Sequence, residues 1–156
     1  MHKSILTFLF SLSFAFSEDN SYSWIKKIPK PWVLSQKNLN SQLKNFHIKF
    51  PNFHDRLIAL NLWRIGTPYG IFCLGEERGV DKDPIIRIDT SDCTVHVLTT
   101  IAFAESKSFN EARHSMIKLH YKPGKNREIE PTYKSRWHFT SDRILNHPRT
   151  TDMTST

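Results

Sequence analysis

The segment Cys93–Ala104, CTVHVLTTIAFA, constrains the fold most, because it is apolar on two adjoining sides of a helix. The two rows at helical spacing are Val97, Ile101 and Ala104, and Val95, Leu98 and Ala102. A helix with two apolar rows has to be covered on both, so we predict that it lies in the core. Asp92 supplies the carboxylate typical of a helix N-cap, which places Cys93 at the first helical position.

Three other segments have helical patterns. The stretch SQKNLNSQLKNF from Ser35 is amphipathic, and DRLIALNLWRIG from Asp55 carries two apolar sides and ends at Gly66, a typical helix stop. Ser108 and Glu111 form a capping-box pattern at the start of a further amphipathic segment. We therefore expect short, well-packed helices on both sides of Cys93.

Two segments between these helices favour β-strands. The apolar run IFCL at positions 71–74 is bounded by turn residues, and PIIRID at 84–89 alternates Ile86 and Ile88 with Arg87 and Asp89. We predict one short strand in each.

The length of 156 residues suits one domain with its own core. The first residues have a short basic start, an apolar run and small residues before Ser17, so we predict a signal peptide at 1–17, with an uncleaved anchor as the alternative. A proline-punctuated lead-in segment at 18–34 precedes the domain at 35–156. The signal peptide predicts export to the periplasm or cell envelope. No other segment is apolar and long enough to predict stable membrane insertion.

The charge is basic. Loss of Lys3 with the signal peptide lowers the formal net charge from +7 to +6. Cell wall, anionic lipid and nucleic acid are acidic partners that such a chain attracts, and export argues against nucleic acid. The basic residues are scattered, however, so a simply solvated surface is an equal alternative.

Cys73 and Cys93 have different sequence settings. Cys73 lies in an apolar stretch and is predicted to be an inert buried thiol, although a disulfide with Cys93 is possible in an oxidising compartment. For Cys93 two interpretations stay open: a small core residue, or a nucleophile, because a helix N-terminus favours the thiolate form.

Five short sequence motifs, called blocks here, occur in order and favour the interpretation of Cys93 as a nucleophile. They are GTPY at 66–69, LGE at 74–76, RIDTSDC at 87–93, RWHF at 136–139 and DMT at 152–154. With these blocks the chain resembles the NlpC-type papain-like cell-wall cysteine peptidases, and more closely the N-acetylmuramoyl-L-alanine amidase-like family, once catalogued as a domain of unknown function.

The resemblance implies an α+β papain-like fold and hydrolysis of an amide bond in bacterial peptidoglycan. In that scheme Cys93 is the nucleophile, Tyr69 lines the site and helps to hold the oxyanion, and Asp92 caps and orients the cysteine helix. Arg136 and His138 bind substrate or shape the site. Peptidoglycan fragments are the expected partners, and no cofactor and no metal are implied.

The resemblance also exposes a gap. The base expected in this superfamily is a histidine in an H-x-G block after the DMT position, and the chain stops before it. We therefore expect an incomplete, helix-rich N-terminal part that is inactive alone: a degenerate product, a chain that pairs with a second polypeptide, or one part of a split gene. His96, three residues after Cys93, is a weak candidate base.

Two functions of other classes remain as alternatives. One is a non-catalytic cell-wall binding or interaction protein that keeps the site residues without turnover. The other is a secreted domain of unrelated fold held by a disulfide.

Overall fold

The computed structural model describes residues 22–151. Its α-helices are α1 (Gln36–Lys49), α2 (Phe53–Arg64), α3 (Cys93–Ala104), α4 (Phe109–His120) and α5 (Thr140–Asn146), with 3-10 turns at Pro31–Val33 and Tyr133–Ser135. Within this described part there is no β-strand, and β-type pairing is confined to isolated bridges. The predicted signal peptide at 1–17 and the DMT block lie outside the described residues.

The expectation of an α+β papain-like fold is wrong, because the two predicted strands are irregular. Phe72 interrupts IFCL with a φ of 54°, in the left-handed region that breaks an extended path. In PIIRID the adjacent side chains of Ile85 and Ile86 are both buried, so the period-two alternation of a strand is absent. Backbone bonds such as Gly75 N–H to Pro84 O, 3.0 Å, close turns in place of a sheet.

Side-chain caps fix where the helices begin, which confirms most of the helical predictions. Asp92 Oδ1 accepts a hydrogen bond from the Val95 amide at 2.8 Å, and Ser108 Oγ accepts one from the Glu111 amide at 3.3 Å. Helix α2 starts two residues earlier than predicted, because Asn52 caps it. Each cap bonds an amide within three residues, so a helix start of this kind can be predicted from the local sequence.

Helix α3 packs against α2 and α4, and α1 contacts both of these neighbours. The largest fully buried apolar side chains include Phe46, Trp63, Phe103 and Met116. Of the two apolar rows of α3, the row of Val95, Leu98 and Ala102 is buried as predicted. The other row is not fully covered, since Val97 is 53% exposed.

The lead-in segment also packs on the helices where the structure describes it. The Trp63 indole donates to Pro29 O at 2.8 Å, and Lys30 Nζ donates to the carbonyl oxygens of Trp63 and Ile65 at 3.1 and 3.0 Å. The Trp24 ring meets Phe46 edge to face, with centroids 5.0 Å apart. These contacts attach the lead-in segment to the C-terminal end of α2.

Gly75 offers a test of this fold. A Cβ at this position would lie 2.5 Å from Asp83 O and 2.6 Å from Asp83 N, both backbone atoms that cannot move aside. We expect Gly75→Ala to lower the free energy of unfolding by about 2 kcal/mol or more. The measurement is denaturant unfolding followed by circular dichroism.

The matched control is Ser41→Ala, on the exposed side of α1, which should change stability by less than about 0.5 kcal/mol. Equal stability of Gly75→Ala and the wild type would show that the loop is not closed as described.

Candidate functional site

Two of the sequence blocks meet in space. The GTPY segment runs beside the residues before Cys93: Ser91 N–H donates to Pro68 O at 2.9 Å, and Gly70 N–H donates to Ser91 O at 3.3 Å. Tyr69 and Ser91 are paired in an isolated parallel bridge. Gly70 has no room for a side chain, because a Cβ would collide with Thr90 Oγ1. The close approach therefore needs glycine at this position.

Cys93 is the first residue of α3, and its side chain is exposed. The preceding Asp92 holds the first turn through its bond to the Val95 amide, and its carbonyl accepts from His96 N at 2.8 Å. Cys73 is a buried free thiol and Cys93 is free as well. The structure therefore contradicts the interpretation of Cys93 as a buried core residue, and it holds no disulfide between the two.

Arg136 joins the RWHF block to the LGE block. Its Nη1 donates to Asp81 Oδ2 at 2.8 Å and its Nη2 lies 3.5 Å from Glu76 Oε2, with Arg136 and Glu76 both buried. Glu76 Oε1 also accepts from the Val80 amide at 3.0 Å. Burial of the Asp81 carboxyl would raise its pKa, but the hydrogen bonds from Arg136 and from the Asp83 amide hold that pKa below its ordinary value. Arg136 thus links the RWHF segment to residues 76–81.

His138 and Tyr69 occupy more open positions. His138 Nε2 donates to Tyr133 O at 2.7 Å, and its ring packs on the Tyr133 ring with centroids 4.6 Å apart. Tyr69 is 80% exposed. The His138 contacts hold its ring, whereas most of the Tyr69 side chain faces solvent.

A cavity of about 450 Å³ lies between the start of α3 and the segment 133–143. It brings together three of the predicted site residues, Asp92, Arg136 and His138, while Tyr69 and Cys93 are outside its lining. Cys93 is next to it all the same, because its neighbours Asp92 and Thr94 both line the wall.

Sequence reasoning missed the deep side of this cavity, which His120, Trp137 and Arg143 form. Arg143 Nη2 donates to His120 Nδ1 at 2.9 Å and to Trp137 O at 3.0 Å. Burial, followed by the charges of Arg143 and Arg136, lowers the pKa of His120 to about 3. Trp137 lies inside a recognised block, but nothing local marks Arg143 or His120.

His96 is engaged away from Cys93. Its Nε2 bonds Asn61 Oδ1 at 3.0 Å, and burial and the charge of Arg64 lower its pKa. Asn61 Nδ2 donates to Leu57 O at 2.9 Å, which makes Oδ1 the acceptor and Nε2 the protonated nitrogen of His96. Among residues 22–151, no histidine forms a hydrogen bond with Cys93.

Residues 22–151 hold no cluster of three or more histidine, cysteine, aspartate or glutamate side chains that fits a metal ion. No helix in this range is both long and apolar enough to cross a membrane.

Comparisons with known proteins identify the family. The family model described as AmiA-like, N-acetylmuramoyl-L-alanine amidase-like, matches residues 61–156. The crystal structure of protein LPG0564 from Legionella pneumophila str. Philadelphia 1, which carries the family model DUF1460, superposes with a TM-score of 0.58 at 28% sequence identity. The match covers 71% of this chain and 37% of the Legionella chain, so the chain spans well under half of that neighbour. No curated protein matches.

The family match contains all five sequence blocks and the whole cavity lining, because both fall within residues 61–156. The chain belongs to the N-acetylmuramoyl-L-alanine amidase-like family.

Proposed function

We propose that the chain acts on peptidoglycan fragments by cysteine-dependent hydrolysis of the N-acetylmuramoyl–L-alanine amide bond. The observation that carries this proposal is the position of Cys93: an exposed thiol at the first position of a capped helix, beside the GTPY segment. Most cysteines are buried fillers, and a buried thiol is inert. An exposed thiol at the start of a helix is accessible to a ligand.

The reaction needs two displacements. The Cys93 thiolate attacks the amide carbonyl carbon, the C–N bond breaks, and the amine of alanine leaves with the proton taken from the thiol. Water then attacks the thioester carbonyl, which releases a carboxylate and restores the thiol. A base has to carry the proton between these steps, and among residues 22–151 no histidine forms a hydrogen bond with Cys93.

His138 is the better candidate for that base among the described histidines. It lies on the cavity wall with Asp92, and its Nε2–H donation to Tyr133 O leaves Nδ1 as the acceptor nitrogen of the neutral ring. His96 has the same tautomer, but its contacts with α2 hold it at the helix interface. We also propose that the chemistry is of the NlpC type and that the protein is exported. The proposed location rests on the predicted signal peptide.

A non-catalytic peptidoglycan-binding protein is the second candidate. It is favoured by the lack of any hydrogen bond between Cys93 and a histidine in the described residues, combined with a formed cavity. In this case the carbohydrate or peptide would be held without turnover.

Thiol reactivity tests the position of Cys93. In the native protein, we expect iodoacetamide to label Cys93 at least about tenfold faster than Cys73, because Cys93 is exposed and Cys73 is 7% exposed. Mass spectrometry of tryptic peptides measures both rates, and unfolding in denaturant should make them similar. A native Cys73 that reacts as fast as Cys93 would contradict the burial described here.

Turnover separates the two candidate functions. With purified muropeptides, we expect Cys93→Ser to lower the rate of peptide release by a factor on the order of 10³ or more. The reason is that the serine hydroxyl is a much weaker nucleophile than the cysteine thiolate. High-resolution chromatography of the products measures it, Ser41→Ala serves as the control with full activity, and His138→Gln tests the base. A wild-type protein that binds muropeptides and releases nothing, with affinity unchanged in Cys93→Ser, is the result expected of a binding protein.

A further inference from the structure

Arg143 is a buried cation that has no counter-ion among residues 22–151. It is 8% exposed, and its Nη2 contacts are His120 Nδ1 and Trp137 O, both of them uncharged. His120 is neutral because its pKa is about 3, and the neighbouring Asp142 carboxylate pairs with Lys122 at 2.9 Å. A buried charge of this kind normally has an anionic partner.

The carboxylates in the cavity lining are already engaged. Asp81 accepts from Arg136 Nη1 at 2.8 Å, and Asp92 caps α3 through the Val95 amide at 2.8 Å. Arg136 is itself neutralised by two carboxylates, those of Asp81 and Glu76. The one cation of the lining without a carboxylate partner, among the described residues, is therefore Arg143.

Unsatisfied groups in the lining point the same way. Three buried atoms there lack a hydrogen-bond partner: Arg136 Nε, Trp137 Nε1 and Arg143 Nε. All three are donors. His120 adds a fourth N–H on the same wall, since its Nδ1 accepts from Arg143 and the proton of the neutral ring is on Nε2. Buried donors without partners are rare in folded proteins. The three unpartnered atoms have almost no accessible surface, so they place unpaired N–H dipoles behind the cavity wall, which favours an acidic ligand without direct contact.

Four aromatic side chains also line the cavity. Phe72, Tyr133, Trp137 and Phe139 line the cavity, and Phe72 and Phe139 are exposed. Aromatic rings beside convergent donors suit a ligand that has an apolar face next to an acceptor group, as a sugar or a short peptide does.

We propose that this cavity is a carboxylate-binding subsite in which Arg143, on the wall that it shares with His120 and Trp137, anchors an acidic group of a glycopeptide. The subsite deepens the proposed function and rests on it for the class of ligand. Arg143 pairs with the carboxylate, and the aromatic walls cover the adjacent sugar or peptide atoms. Two sources of the carboxylate fit: the free α-carboxylate of the stem-peptide glutamate, which is present in the substrate, and the lactyl carboxylate of N-acetylmuramic acid, which is free only in the released product.

The test uses matched acid and neutral probes on the full chain, with titration calorimetry at pH 7. N-acetylmuramic acid is compared with its lactyl amide, and L-alanyl-γ-D-glutamate with its α-amide. We expect at least one acid to bind about tenfold or more tightly than its neutral match. The pair that shows the difference identifies the source of the carboxylate. Equal binding within both pairs, or no binding of either acid, would overturn the proposal.

A pair of variants locates the effect. Arg143→Gln should remove the preference for the acid, whereas Arg113→Gln, which removes the same charge from a surface pair with Glu77, should leave it intact. The wild-type comparison of probes needs no variant, so it decides the question even where Arg143→Gln fails to fold.

The result is separable from the test of catalysis. If Cys93→Ser and the wild type both prefer the acid and neither hydrolyses muropeptides, the subsite stands and catalysis fails. If muropeptides are hydrolysed but neither acid is preferred, catalysis stands and the subsite fails.

Discussion

The buried guanidinium of Arg136 holds together the two parts of the chain that enclose the cavity. Residues 66–92 contain no α-helix, and the bonds from Arg136 to Asp81 and Glu76 attach this irregular segment to the chain that follows α4. Removal of one partner of such a buried pair typically costs about 3–5 kcal/mol, because it leaves an uncompensated charge. Tyr121 strengthens the same junction by donating its hydroxyl to Gly75 O. The cavity therefore depends on an ion cluster more than on any regular element.

The exposure of Cys93 has a similarly simple cause. Cys93 and Val97 are four residues apart, so they share one side of α3, and both are exposed. The opposite side, with Val95 and Leu98, is buried against the core. The pattern of two apolar rows predicted burial all round, which would have hidden the thiol. Because the second row is exposed at Val97, next to Cys93, the nucleophile predicted from the family resemblance is accessible.

How far the sequence predicts the structure depends on how local each cause is. Asp92 and Ser108 fix helix starts through bonds that span three residues, and these helices were predicted correctly. The strand at 71–74 failed because a positive φ angle at Phe72 turns the chain, and Phe72 is not a glycine that would signal it. The strand at 84–89 failed because Ile85 and Ile86 are both buried. In the site, family resemblance found Asp92, Arg136 and His138, which the cavity unites. Arg143 was not predicted as a site residue, because its place in the cavity depends on its contact with His120, which is 23 residues away.

Asp92 couples the cavity to the thiol. Its side chain is fixed by the cap on α3 and forms part of the cavity wall, while the next residue, about 3.8 Å along the backbone, is Cys93. A ligand whose acidic group is held by Arg143 would thus meet Cys93 at a set distance, and its orientation would be fixed before reaction. Binding energy at a charged, unreactive end of a ligand is useful to catalysis when it positions the reacting carbonyl. The helix cap would then serve both proposals, because it supports the wall of the subsite and presents the nucleophile beside it.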